Sequence, residues 1–387
     1  MLRVAIVTHR LTRTDGQGKI NYELALRLAE RGHRVELVSS VLDGPLVEHE
    51  NAAWHAVPSP KKLPSHLLRN QHFAIGSARR LRAMSSRPDI IVVNGGITFF
   101  PGDVNIAMFV HAHWRRVRPA EEGGRLLQSA YHRLYAALNA RWERRAFRQA
   151  VASVALAEPV AAQLLNLVGT ELEQTHVIEP GVDAGQFIPL AEGEATPLRA
   201  ELGIPEGHRL GVFVGDLATR RKNLDLVLRA MVKVPGLQLA VVGNTTRSPY
   251  PQMAASLDVA DRVHFLGRRG DVPDLMRQAD VFCFPSRYDP WALVVTEALA
   301  SGIPVVVGPE VGAAAAVRPP TDGWLLDHAE DLDGMTSALQ AVVREGVTFE
   351  RRQLIREGVL GRTWDRMTDQ YLDLFEKVMA QREDPTA

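Results

Sequence analysis

From Arg3 to Val307 the chain repeats one pattern: a short apolar run, rich in β-branched residues, then a longer stretch with helical periodicity. The first set of runs is RVAIV (3–7), RVELVSS (34–40), DIIVVN (89–94), IAMFVH (106–111), VASVAL (151–156) and HVIEP (176–180). A second set follows: LGVFVG (210–215), LQLAVVG (237–243), RVHFLG (262–267), VFCFP (281–285) and PVVVG (304–308). Near-continuous apolar strands separated by amphipathic helices mean parallel sheets covered on both faces. The rhythm restarts after the Pro- and Gly-containing stretch 180–207, and 387 residues are too many for one core. The expectation is therefore an α/β chain of two doubly wound, Rossmann-like domains, 1–182 and 183–362, and not one large sheet. Ligands of such sheets bind at the carboxyl ends of the strands, so two facing sheets would place a ligand in the cleft between them. In WDRMTDQYLDLFEKVM (364–379), Trp364, Met367, Tyr371, Leu374 and Met379 recur near helical spacing. Residues 363–387 thus read as a terminal helix that covers apolar surface, expected on the first domain.

Hydrophobic content of 46% with 23% charged residues is ordinary for a water-soluble globular protein. Cys283 is the only cysteine, which excludes an internal disulfide, and its place in VFCFP suggests a buried strand. The amino terminus runs straight into an apolar strand without the layout of a signal peptide. The longest apolar stretch, Val151 to Val168, contains Glu158 and Pro159, against a membrane-spanning helix. A cytoplasmic protein is expected. The net charge of zero divides into 23 basic and 16 acidic residues over 1–180, then 22 and 29 over 181–387. Nine arginines against three acids lie between Arg115 and Arg148. They could dock on an anionic lipid at the inner face of a membrane, or form a solvated helix face. Nothing in the pattern points to a nucleic acid.

Three stretches carry chemistry. After the first strand, Gly16-x-Gly18 precedes a helix read from about Lys19 to Arg31 and ended by Gly32. A dinucleotide fingerprint would need a third glycine where Asn21 stands and would follow the strand directly, so a nicotinamide cofactor is disfavoured. The two glycines let backbone N–H groups approach an anion at a helix start, or simply make a flexible turn. In the second domain, Arg220, Arg221 and Lys222 fall between a strand and a helix. There they could hold a phosphate by charge-assisted hydrogen bonds, or be a solvated basic turn. The strands ending in Gly215, Gly243 (before Asn244) and Gly267 each require a close backbone approach or a sharp turn.

The third stretch is PSRYDPWALVVTEALASGIPVVVG (285–308), with Asp289 in a loop and Glu297 eight residues on, inside a helix read from Ala292 to Ser301. The free N–H groups of about Ala292, Leu293 and Val294 carry the positive end of the helix dipole, which suits a diphosphate. Carboxylates on either side would accept hydrogen bonds from hydroxyl groups, a sugar at Asp289 and a ribose at Glu297.

Here the chain resembles the retaining glycosyltransferases of family 4, whose GT-B architecture is two facing Rossmann-like domains. The likeness runs through DGQGKINYELALRLAERGHRV, FVHAH, IEPGVDAGQF, FVGDLATRRKNLDLVLRA and the final WDRMTDQYLDLFEKV. It is most specific from Ala279 to Val307. The resemblance implies a donor site at Gly16, Gly18, Gly215, Arg220, Arg221, Lys222, Gly243, Asn244, Leu266, Gly267, Asp289, Trp291, Ala292, Leu293, Val294 and Glu297. It gives catalytic parts to His111, Lys222 and Asp289, with His111 orienting the donor sugar or the acceptor from the end of IAMFVH. It also implies a UDP- or GDP-type nucleotide sugar as donor, a glycan, lipid-linked or small-molecule acceptor, no obligatory metal and no cofactor. Three positions depart from the family: Asp289 replaces the usual Glu, Trp291-Ala292 the usual Phe-Gly, and Asp216 a frequent Arg. His113 would share a strand face with His111, but no third metal ligand accompanies the pair. Asp331-x-Asp333 matches the D-x-D of metal-dependent transferases in letters only, since it opens a helix. A GT-B nucleotide-sugar epimerase and a non-catalytic nucleotide-sugar-binding protein are the alternatives.

Overall fold

The computed structural model describes residues 1–13, 16–60, 65–118 and 126–383. The chain divides into two compact units. One holds most of the chain up to Gly181 together with the residues from Trp364 on; the other is essentially Val182–Thr363.

The first unit is built on seven parallel strands: β1 Arg3–Val7, β2 Arg34–Ser39, β3 Ala52–Ala56, β4 Ile90–Val93, β5 Val104–Ile106, β6 Ala152–Ala155 and β7 Thr175–Val177. Their order across the sheet is β3-β2-β1-β4-β5-β6-β7. The strand β3 (AAWHA) is not among the runs read from the sequence, because its alanines are poor strand formers and His55 is polar. Helices α1 Gly16–Glu30, α2 His66–Arg82, α3 His111–Val117 and α4 Leu126–Gln149 belong to this unit. Val4, Ile6, Ile91 and Val92 are fully buried on adjacent strands, as residues of a two-sided parallel sheet must be.

The second unit repeats the design with six parallel strands: β8 Arg209–Val214, β9 Leu237–Val242, β10 Val263–Gly267, β11 Val281–Phe284, β12 Val305–Val307 and β13 Gly323–Leu325. They lie in the order β10-β9-β8-β11-β12-β13, the same winding as in the first sheet. Helix α5 spans Leu224–Met231 and α6 spans Leu293–Ala300. In both units the direction of winding reverses beside the first strand, between β1 and β4 and between β8 and β11. That reversal leaves a crevice at the carboxyl ends of those two strands.

The last helix, α7 Trp364–Glu383, packs in the first unit. Trp364, Met367, Tyr371, Leu374, Phe375 and Val378 are buried, while Met379 is only half-buried. The apolar stripe is therefore wider than single helical spacing indicated. Arg31, just after α1, pairs with Asp365 (3.2 Å) and with Asp369, and Arg382 donates to the Asp89 carbonyl at 2.7 Å. Among the described residues no helix is long and apolar enough to cross a membrane.

Candidate functional site

The loops after β8 and β11 meet at the reversal point of the second sheet. Three strand ends support them. Gly215 N donates to Val242 O (3.0 Å) and Gly243 N donates to Gly267 O (2.9 Å). A Cβ on Gly243 would stand 2.3 Å from the Gly215 carbonyl oxygen, so only glycine lets these ends step past one another. Gly267 turns the chain at φ +67°. The register moves from Val241–Phe265 to Val242–Gly267, which leaves Leu266 as the extra residue of a bulge. Asn244 is exposed, and its side chain accepts from Thr246 N at 3.0 Å.

The basic loop closes in a short 3₁₀ turn, Arg220–Lys222, followed by Asn223 in a left-handed conformation (φ 60°). The Asn223 amide pins the turn by donating to the carbonyls of Pro285 (3.0 Å) and Ala329 (2.6 Å). Lys222 Nζ binds Asp289 Oδ2 and lies 4.7 Å from the centre of the Phe284 ring, a cation–π contact. Arg221 donates to the Tyr288 carbonyl at 3.2 Å and stands 3.8 Å from the same Asp289 oxygen. Asp289 is itself clamped: its N–H donates to Glu310 O (3.0 Å), and its carbonyl accepts from Gly312 N (2.9 Å). Burial disfavours the Asp289 carboxylate, but Lys222 and Arg221 outweigh it and hold its pKa below the ordinary value. For Lys222, burial and the Arg221 charge prevail over the attraction of Asp289, and its pKa is lowered.

The guanidinium of Arg220 pairs with the buried Asp225 at 3.1 Å. Asp225 is the centre of a network that the sequence did not disclose. The nearly buried Arg287 donates to both of its oxygens, at 2.8 and 3.2 Å, and also to the Arg220 carbonyl. Glu330 completes the shell 2.7 Å from Arg287. Burial raises the cost of the Asp225 charge, yet Arg287 and Arg220 more than offset it and depress its pKa. The network fastens the basic loop to the β11 loop. A buried acid and base 62 residues apart leave no local signature in a sequence.

Helix α6 begins at Leu293, one residue later than read. Ala292 stands outside it at φ 71°, a conformation that glycine adopts without strain. The N–H groups of Leu293 and Val294 have no acceptor within the helix, whereas Val295 N already donates to Ala292 O. Glu297 is buried on the second turn, at 8% exposure. Trp291 is buried too, and its indole N–H has no hydrogen-bond partner among the described residues.

In the first unit two readings need correction. Gly16 and Gly18 do not form a loop before α1; they are in its first turn, and Gly18 is buried. Asn21, where a third glycine would stand, pairs with Asn94 (3.2 and 3.3 Å), and Asn94 donates to Val7 O at 3.0 Å. A polar pair therefore closes the reversal point between β1 and β4. His111 is not a strand end: β5 stops at Ile106, and His111 is the first residue of α3. One turn of backbone from Ala107 to Val110 intervenes, with His113 N already donating to Val110 O at 3.1 Å. His113 consequently lies two positions along a helix from His111, on another face. Among the described residues no group of three His, Cys, Asp or Glu side chains could hold a metal ion. His111 has a partner that the sequence reading missed, the buried Glu143 of α4, whose Oε1 lies 3.2 Å from its Nδ1.

Two doubly wound parallel sheets, with a basic loop, an acid and a helix start gathered at the reversal point of the second, define the GT-B class of α/β proteins. The chain belongs to glycosyltransferase family 4: residues 14–186 match the family model Glycosyltransferase Family 4, and residues 194–358 match Glycosyl transferases group 1. Curated relatives include D-inositol 3-phosphate glycosyltransferases. That of Mycobacteroides abscessus is 29% identical over 58% of this chain and 51% of its own. That of Mycobacterium tuberculosis is 35% identical over 44% of this chain and 36% of its own. The chain thus spans about half the length, or less, of these relatives. Among solved structures, sucrose-phosphate synthase from Thermosynechococcus elongatus superposes with a TM-score of 0.80 at 18% identity, covering 98% of this chain and all of that one. Anabaena HepE in complex with UDP-glucose gives 0.71 at 17% identity, covering 97% of this chain and all of that one. At such identities these structures share the fold.

Proposed function

We propose that the protein is a retaining hexosyltransferase that moves a sugar from a nucleoside diphosphate to a hydroxyl of a glycan, lipid-linked or small-molecule acceptor. The observation that carries this reading is the convergence of Lys222, Arg221 and Asp289 beside the start of α6, with Glu297 one turn further on. A diphosphate there would meet two cations and the N–H groups of Leu293 and Val294. Its ribose hydroxyls would reach Glu297, and its sugar would lie at Asp289. Retention follows if the acceptor oxygen attacks the face that the leaving group departs from. The new C–O bond forms as the bond to phosphate breaks, and the acceptor proton passes to the departing phosphate oxygen. The protein's part is to stabilise the negative charge growing on that phosphate, which Lys222 and the helix dipole do without a metal or a protein nucleophile. The donor is a UDP- or GDP-type nucleotide sugar, and UDP, present in the HepE complex, is the first to test.

A thermal-shift screen across nucleoside diphosphates and their sugars, followed by calorimetry, tests the reading. Glu297→Ala should weaken UDP by about 1.5–3 kcal/mol, the worth of a hydrogen bond to a charged carboxylate. An unchanged dissociation constant would remove Glu297 from the site, and an inverted anomer in the product would refute retention.

For the acceptor side we propose peripheral contact with an anionic membrane at its cytoplasmic face. Helix α2 has no acidic residue, ends in Arg79, Arg80 and Arg82, and exposes Leu68 and Ile75. The exposed Phe99 lies against it through its bond to Ala74 O. Exposed apolar side chains on a helix that carries cations and no acid suit an anionic bilayer surface. Co-sedimentation with vesicles containing phosphatidylglycerol, and not with phosphatidylcholine alone, is the expected result.

A further inference from the structure

Glu143 is an almost fully buried acid in the arginine-rich α4, and it faces the first turn of α3. Its Oε2 accepts from the His111 backbone N–H at 2.9 Å, the Ala112 backbone N–H also bonds to it, and its Oε1 lies 3.2 Å from His111 Nδ1. Burial pushes the carboxyl pKa up, against the pull of these bonds. A glutamine of the same shape would serve the backbone donors and avoid the cost of a buried charge. What a glutamine would not do is accept at both oxygens. With backbone N–H groups already converging on the carboxyl, its ionised form can only accept at Oε1, and Nδ1 then carries the proton.

We infer that Glu143 is a positioning residue that holds His111 in its Nδ1–H tautomer, so that Nε2 keeps a lone pair for a substrate hydroxyl. The Phe109 ring meets the imidazole in a T-shaped contact, centroids 4.9 Å apart, and restricts its tilt. His111 keeps 27% of its side-chain surface accessible while Glu143 keeps 3%, so substrate can reach the histidine and not the acid. The arrangement parallels other sites where a third group sets the tautomer of a catalytic histidine. Its consequence for turnover rests on the transferase reading above; the tautomer itself does not.

The test is ¹⁵N NMR of histidine-labelled full-length protein at pH 8, above the ordinary imidazole range, with His111→Gln identifying the His111 signals. In the wild type the unprotonated nitrogen should be Nε2. Glu143→Gln places an amide NH₂ opposite Nδ1 and should move the proton to Nε2. The same variant should lower kcat about 10- to 100-fold with the donor KM changed less than about threefold, because the second unit binds the nucleotide. Glu143→Ala, which withdraws the bond altogether, should leave a mixture of tautomers. A wild-type Nε2–H tautomer, or a proton that stays on Nδ1 in both variants, would overturn the inference. A shifted tautomer with unchanged kcat would overturn its catalytic half. If no donor is turned over even by the wild type, the transferase reading fails and the tautomer result still decides the role of Glu143.

Discussion

Asp289 and Lys222 neutralise each other in the free protein, which ties each to the other's task. Asp289→Asn keeps the shape and removes the charge. We expect turnover to fall by at least about 100-fold, since on the proposed reading the carboxylate beside the donor sugar is lost, while UDP affinity stays within about threefold. Lys222→Ala should instead weaken UDP and leave uridine binding almost unchanged; equal losses for both ligands in calorimetry would end its assignment to the phosphate. Glu143 offers a prediction about pH. Its pKa is raised in the folded state, so its contribution to stability is full below the unfolded value of 4.5 and is lost as pH rises through the folded value. Glu143→Gln cannot titrate. Its melting temperature should therefore gain on the wild type as pH rises from about 4.5 toward neutrality. Parallel melting curves over that range would expose the error if the difference stayed constant.

At the scale of elements, the loops of the candidate site are held by buried groups behind them. The basic loop depends on Asp225 and Arg287, joined at 2.8 Å in the interior beneath it. Removing one partner of a buried ion pair strands the other charge and commonly costs about 3–5 kcal/mol. Asp225→Ala should lose stability of that order in denaturant titrations, and it should also weaken UDP because Arg220–Lys222 lose their anchor. Stability lost with UDP affinity intact would mean that Asn223 alone holds the loop. The start of α6 is organised differently. Ala292 takes up a left-handed backbone, and Asp289 is locked by hydrogen bonds to Glu310 and Gly312. The N–H groups of Leu293 and Val294 are thus placed by backbone geometry more than by any side chain.

For the whole molecule, the chain's last helix is part of its first unit's core. Burying six large side chains at about 1.5–3 kcal/mol each is comparable to the 5–15 kcal/mol net stability of an entire domain. The ion pairs of Arg31 with Asp365 and Asp369 are exposed and add little. Truncation after Thr363 should therefore unfold or aggregate the first unit. Limited proteolysis of the truncated chain should digest residues before 181 and spare 182–363. Equal resistance of both halves would show that α7 is dispensable.

The alternation of apolar runs and amphipathic stretches was enough to determine two parallel, doubly wound sheets, because a strand covered on both faces has no polar side to vary. It also disclosed the acid at 289, the cations at 220–222 and Glu297, whose residue types and positions after strands are local properties. Where a backbone changes direction was not local. IAMFV is apolar throughout, and only packing ends β5 at Ile106 and starts a helix at His111; the same holds for Gly16 and Gly18, drawn into α1. Pairing over long separations was invisible for the same reason. Glu143 looks like one more charge on a basic helix, and Arg287 like a loop cation, until the fold buries each against its partner. Sequence determined which chemistry is present and on which sheet edge it falls; tertiary structure decided which charges neutralise one another, because pairing depends on what the fold brings together in space.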